Sequence, residues 1–410
     1  MPQAVLLEGY TLPAYMPTMM LIFGATLAVS LLLTPLVRWA ALRWGLVDMP
    51  GDPRRVHTRP VPRLGGLAMF AAFAVGVALM FALDIYRIQG PLTYNSVFEP
   101  VRVLFVLAGA GIITAVMAVD DIRSLPPLPR LVVQVGAALL VVLPSLIWPG
   151  GPNPLPGGAG MEPPGTLHYD QGAGVIATSV RNPFGGTIEF PLLLAVVFTI
   201  VWIVGMTNTI NWIDGLDGLA AGVSVISCGV LFTIMWMLGQ YTLAYLPLIL
   251  GAATLGFLPF NVHPARIFMG DSGAMFLGFT LGIIAIIGGA KVAAALLLLG
   301  IPILDGVYMV FYRLYHGRSP MSPDRGHLHH RLLDIGLTQQ QVVMIFYLLC
   351  GAFGLLALLF TSHHGTIILF GLALSFSLFK LLVLLLMAVV LFALTTYVAR
   401  RRFDVDRTEA

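Results

Sequence analysis

Apolar runs long enough to cross a bilayer recur along the whole chain. A helix rises about 1.5 Å per residue, so a hydrocarbon core of about 30 Å needs about 20 apolar residues. No water inside that core satisfies a backbone N–H or C=O, and runs of this length must therefore be helices. They fall near 15–37, 64–83, 101–119, 131–148, 191–206, 219–238, 241–258, 272–288, 292–312, 342–360 and 376–398. The chain is 58% hydrophobic and only 10% charged, against about 25% charge in a soluble domain. The expected fold is an all-α polytopic membrane protein of about 11 transmembrane helices, a single domain over 1–410. The first run lacks a basic leader and a small-residue cleavage site, so it reads as a permanent span. Cys228 and Cys350 lie inside apolar runs and read as buried small hydrophobes rather than a disulfide. Nothing in this composition points to a nucleic-acid partner.

The basic residues predict the orientation. With the N-terminus outside, the inner loops hold 17 of the 22 Lys and Arg, the outer loops hold Arg87, Arg102, Arg181 and Lys291, and Lys380 is left over. Such a bias puts the N-terminus outside and the C-terminus in the cytoplasm. From Gly365 to Val398 the chain is apolar but for Lys380. One helix of that length would measure about 50 Å, too long for the core. A short non-spanning piece followed by a span from Phe376 fits better. The outer loop 149–190 is rich in Gly and Pro, and "GVIATSV" and "GTIEF" around "RNPFGG" predict a small hairpin.

Four polar clusters interrupt the apolar pattern: "VDDIRSLPPLPR" (119–130), "NTINWIDGLDGLAAG" (208–222), "FMGDSGAMFLG" (268–278) and "SPDRGHLHHRLLDIG" (322–336). The predicted topology puts all four on the cytoplasmic side, on loops 120–130, 207–218, 259–271 and 313–341, beside the first loop, 38–63. Carboxylates, amides and imidazoles gathered at one membrane face read as one site. Each cluster also has a plain alternative. Asp120 and Asp121 could simply mark the membrane interface, although a carboxylate at a helix C-terminus opposes the helix dipole. Arg130 lies past two prolines, within reach of a phosphate. Asp217 could cap the next helix, but that leaves Asn208, Asn211 and Asp214 without a purpose. Asp271 precedes a helix and could cap it, yet Gly270 and Gly273 also allow close backbone approach at an anion-binding helix end. Phe268 offers a flat face for a base. His327, His329 and His330 lie beside Arg325, without thiolates and with no common zinc spacing. Phosphate binding or proton transfer suits them better, and His327 and His330 would share a face in a helix. The surplus of hard oxygens suits magnesium, which takes few protein oxygens and several phosphate and water oxygens.

In this order the four motifs resemble those of the polyprenyl-phosphate N-acetylhexosamine-1-phosphate transferase family. The first loop, "GLVDMPGDPRRVHTRPVPRLGG", and "PILDG" (302–306) are also similar to the family's. The resemblance implies transfer of a sugar-1-phosphate from a UDP-N-acetylhexosamine to undecaprenyl phosphate, releasing UMP, in a bacterial plasma membrane. It implies Mg²⁺, with Mn²⁺ a substitute, held by Asp271 and Asn211. It implies that Asp120 and Asp121 orient or deprotonate the lipid phosphate and that Arg130 binds it. Asn208 and Asp214 would belong to the substrate site, and Asp217 and Phe268 would meet the uracil. His327, His329, His330 and Arg325 would face the donor's phosphates and sugar, with His327 catalytic. A homodimer is expected, since dimers are usual among relatives.

The histidine loop reads His-Leu-His-His, similar to the GlcNAc-1-phosphate branch that starts surface polymers. The phospho-MurNAc-pentapeptide transferases of peptidoglycan synthesis, the runner-up, carry three consecutive histidines. A transporter is the rival from another class, and Asp305, inside the ninth run, is the one carboxylate that would serve it.

Overall fold

The computed structural model describes residues 12–50, 59–85, 99–148, 172–181, 187–238, 240–287, 292–317, 319, 326–361, 366–369, 372–375, 383 and 386. They form α1 (Leu12–Arg43), α2 (Gly65–Ile85), α3 (Glu99–Ile122), α4 (Pro127–Val142), α5 (Pro144–Ile147), α6 (Leu192–Ile213), α7 (Leu219–Met237), α8 (Tyr241–Asn261), α9 (Gly270–Ile287), α10 (Val292–Leu298), α11 (Gly300–Tyr315), α12 (Leu328–Asp334) and α13 (Gln339–Thr361). Three antiparallel strand pairs accompany them: β1 (Val47–Asp48) with β2 (Val61–Pro62), β3 (Ser179–Arg181) with β4 (Thr187–Glu189), and β5 (Thr366–Leu369) with β6 (Leu372–Ser375).

Among the described residues, nine helices rather than eleven are long and apolar enough to span a membrane, one of them α4 continued by α5. The ninth apolar run, expected as one span over 292–312, is broken at Leu299 into α10 and α11. Pro302 explains the break. It has no N–H to give the carbonyl of Leu298, and its ring crowds that carbonyl. The same proline is tolerated in the first turn of α11, where that donor is not needed. The run expected over 376–398 lies outside the described residues apart from Val383 and Leu386, both helical. The short piece before it is the β5–β6 hairpin. The external hairpin predicted around 181–187 is β3–β4.

Helix α9 is the centre of the bundle. Every residue from Ser272 to Ile287 is buried, as an all-round apolar helix requires. It packs against α2, α3 and α6, while α1, α7 and α8 pack together beside it. At the far end of α4 the irregular segment 172–177 is buried too. Its polar backbone is satisfied by protein: Val175 N–H donates to Val141 O at 2.9 Å, Ala177 N–H to Thr199 Oγ1 at 2.9 Å, and Arg102 Nε to Gly172 O at 2.7 Å. Non-helical backbone at membrane depth persists only on such terms.

Candidate active site

Four helix ends meet at the other end of the bundle: the C-termini of α3 and α6 and the N-termini of α4 and α9. They surround a cavity of about 370 Å³ whose walls carry six carboxylates and two arginines, Arg63 and Arg130.

Asp271, in the first turn of α9, is the hub. Its Oδ2 accepts from Arg130 Nη1 at 2.8 Å and its Oδ1 from Asn211 Nδ2 at 2.8 Å. Arg130 Nε also lies 3.2 Å from Asp120 Oδ2. Asp120 turns its Oδ1 to the N–H of Leu125 at 2.5 Å, which fixes the turn between α3 and α4. Asp271 therefore does not cap its own helix. The cap comes from α3: Asp121 Oδ1 accepts from Asp271 N–H at 2.8 Å, and its Oδ2 from Ser272 N–H at 3.1 Å and Ser272 Oγ at 2.7 Å. The unfavourable place of Asp121 at the end of α3 is thus offset by the positive end of α9. Gly270 makes the approach possible. Its φ is +70°, and a Cβ there would sit 2.4 Å from Asp121 Oδ2.

One turn deeper, Asn208 pairs with Gln134 of α4. Asn208 Nδ2 donates to Gln134 Oε1 at 2.7 Å and to Val204 O at 2.8 Å. Asn208 is not on the cavity wall. The pair ties α4 to α6 beneath Arg130 and Asn211, which follow the same helix faces at spacings of four and three.

Asp217 does not cap α7 either; Gly218 is the N-cap. Asp217 Oδ2 holds the rim loop, accepting from Ala265 N–H at 3.0 Å and lying 2.9 Å from His263 Nδ1. Asn261 Oδ1 accepts from Gly218 N–H at 3.2 Å. Phe268 on the wall is fixed by the first loop, since its N–H donates to Pro62 O at 2.8 Å and its carbonyl accepts from Gly65 N–H at 3.0 Å. The neighbouring Arg63 pairs with Asp48, and both line the cavity.

Asp214 keeps one edge open to the cavity and is otherwise enclosed. Burial first, then the charges of Asp271, Asp121 and Asp217, push its carboxyl well above the usual carboxylate range. The histidines stand behind this wall rather than on it. His327 is the N-cap residue of α12, so it stacks on His329 (5.9 Å, 11°) instead of sharing a helical face with His330. His329 and His330 rings lie 4.2 Å apart. A Cβ on cavity residue Gly215 would meet His329 Nε2 at 2.4 Å. Burial, then His330 and His327, hold the His329 imidazole well below its usual range, and it is neutral near pH 7. Both its ring nitrogens lack a hydrogen-bond partner among the described residues.

The cavity thus gathers Asp120, Asp121, Arg130, Asn211, Asp214, Asp217, Phe268 and Asp271. Asn208 stands below it, the three histidines stand behind it, and Arg325 lies outside the described residues. Sequence reasoning missed Asp48, Arg63, Gln134, Asn261 and Ser272. The signal for Gln134 was there: an amide inside an apolar run, four residues after Arg130. Asp305 is buried and engaged by protein partners. Its Oδ2 is 2.8 Å from His327 Nδ1 and its Oδ1 accepts from Leu328 N–H at 2.9 Å.

The donor chemistry fits magnesium. The wall offers carboxylate and amide oxygens and neither sulfur nor imidazole. Among the described residues no three His, Cys, Asp or Glu side chains could hold an ion alone. Magnesium takes one or two carboxylates and fills its shell with water and phosphate.

Residues 103–289 match the profile of "Glycosyl transferase family 4". The chain is 32% identical to a Bacillus subtilis protein named "Probable undecaprenyl-phosphate N-acetylglucosaminyl 1-phosphate transferase", over 83% of this chain and 84% of the relative. It is 33% identical to the Mycolicibacterium smegmatis "Decaprenyl-phosphate N-acetylglucosaminephosphotransferase", over 85% and 84%. It is 30% identical to the Salmonella typhi "Undecaprenyl-phosphate alpha-N-acetylglucosaminyl 1-phosphate transferase", over 76% of each. With three of its four motifs on one cavity wall and relatives aligned across most of its length, this chain belongs to glycosyl transferase family 4.

Proposed function

We propose that the protein transfers GlcNAc-1-phosphate from UDP-GlcNAc to undecaprenyl phosphate, releasing UMP, and so starts a cell-envelope polysaccharide. The observation that carries this reading is the cavity itself: carboxylates, an amide and two arginines at the converging ends of membrane helices. The relatives' names support the same reaction. The protein works in a bacterial plasma membrane, with the cavity facing the cytoplasm, as a homodimer.

In the reaction an oxygen of the lipid phosphate bonds to the β-phosphorus of the donor. The bond from that phosphorus to the bridging oxygen breaks, and UMP leaves with the electron pair. A phosphate monoester has a second pKa near 6 and is largely dianionic at neutral pH, so no strong general base is required. The harder task is to bring two anions together in a cavity that is itself acidic. Asp271 and Asn211 would hold magnesium, which would supply positive charge against the diphosphate and the departing UMP. Arg130 bridges Asp120 and Asp271 and adds a fixed positive charge on the acceptor side. Asp121 orients α9, since both its oxygens hold the first turn of that helix. Phe268 and Asp217 form the wall for the uracil, and the histidine segment closes the cavity behind Gly215.

Purified protein in lipid nanodiscs, given Mg²⁺, undecaprenyl phosphate and UDP-GlcNAc, should release UMP, and a chelator should stop it. Release from UDP-MurNAc-pentapeptide but not from UDP-GlcNAc would move the protein to the peptidoglycan branch.

A further inference from the structure

The "DG" of Pro302-Ile-Leu-Asp-Gly306 builds a seat for one imidazole. Asp305 is 2% exposed, and it divides its carboxylate between two partners. Oδ1 caps α12 through the N–H of Leu328 at 2.9 Å, and Oδ2 lies 2.8 Å from His327 Nδ1. An ionised carboxylate only accepts hydrogen bonds, so a neutral His327 must carry its proton on Nδ1 and keep the lone pair on Nε2. Gly306 completes the seat. A Cβ there would stand 2.5 Å from the Trp212 ring, and Trp212 stacks on His327 (5.9 Å, 30°). His329 also stacks on His327 (5.9 Å, 11°). Trp212 follows Asn211, whose amide holds Asp271 at 2.8 Å. His327 is therefore fixed in position and tautomer relative to the helix that carries the candidate metal residue.

We propose that Asp305 is a positioning residue for the transfer reaction: it holds His327 as the Nδ1–H tautomer against Trp212 and His329, the rings that stand beside Asn211 and behind Gly215 of the cavity wall. The proposal rests on the phosphoglycosyltransferase reading above. It also gives the break at Leu299 a purpose, since a separate α11 is free to set Asp305 against α12 independently of α10.

Asp305→Asn separates this role from simple capping. Asn caps a helix about as well as Asp, so its Oδ1 still accepts from Leu328 N–H, while its Nδ2 donates to His327 Nδ1 and forces the proton to Nε2. The expected result is an unchanged melting temperature, a fall in kcat of about 10²-fold or more, and a smaller change in KM for UDP-GlcNAc. In protein labelled with ¹⁵N-histidine, the His327 signals, identified by their loss in His327→Gln, should report Nδ1–H in the wild type and Nε2–H in Asp305→Asn. Wild-type turnover in Asp305→Asn overturns the proposal, and so does an Nε2–H His327 in the wild-type protein. If Asp305→Asn does not fold, the wild-type tautomer alone decides. Failure of the wild type to release UMP would instead overturn the functional reading, and the tautomer measurement would stand apart from it.

Discussion

Asp271 sits in the first turn of α9 yet gives neither oxygen to that helix. Arg130 and Asn211 occupy them, each at 2.8 Å. A carboxylate held by a cation and an amide, on a wall of hard oxygens, is positioned to exchange those partners for a metal ion. Asp271→Asn keeps the shape and the bond to Asn211 after an amide flip, but loses the charge. If the residue were only structural, turnover should survive. If it holds the ion, turnover at limiting Mg²⁺ should fall by about 10²-fold or more, as loss of a key electrostatic stabiliser does. The melting temperature without metal should change little, because the cap of α9 lies elsewhere. UMP release titrated against Mg²⁺, beside a thermal melt, checks both halves.

That cap belongs to the level of elements, where two helices from distant parts of the sequence complete each other. The last turn of α3 supplies Asp121, and the first turn of α9 supplies two N–H groups and the Ser272 hydroxyl. Asp121→Ala leaves these donors without an acceptor and should destabilise the protein by about 1–3 kcal/mol. Asp121→Asn, with one acceptor oxygen left, should cost less. Thermal unfolding in detergent distinguishes this from a free base on the substrate, whose removal would leave the melting temperature untouched. The same element pair shows what was legible in the sequence. Aspartate, glycine and asparagine at helix ends announced turns and caps, and Asn208, Asn211 and Asp214, more than a cap at Asp217 needs, announced a site. Which carboxylate caps which helix was not legible, because Asp121 and Asp271 are 150 positions apart and local rules assign each to its own helix. The partner of Asn208, Gln134 on α4, was hidden for the same reason. The break at Leu299 was written in Gly300 and Pro302, but an apolar window of span length runs straight across it.

For the whole molecule, the chemistry depends on which face of the membrane carries the cavity. Ser124 is exposed, lines the cavity and lies three residues before the start of α4. Thr178 is also exposed and follows the buried segment fastened to the other end of α4 and α5 through Val141 O and Trp148 O. The helical stretch Pro127–Ile147 between them is one of the nine candidate spans, and its 21 residues rise about 31 Å. The two positions therefore belong to opposite faces of the membrane. The orientation proposed above puts the cavity side, with its excess of loop arginine, in the cytoplasm. Both native cysteines, Cys228 and Cys350, are buried, so a single introduced thiol reports its own location. In intact spheroplasts a membrane-impermeant maleimide should label Thr178→Cys and leave Ser124→Cys untouched until the membrane is opened. Labelling of Ser124→Cys alone from outside would invert the topology. Labelling of both from outside would mean that α4 and α5 do not cross the membrane, and the bundle would have to be redrawn around a different set of spans.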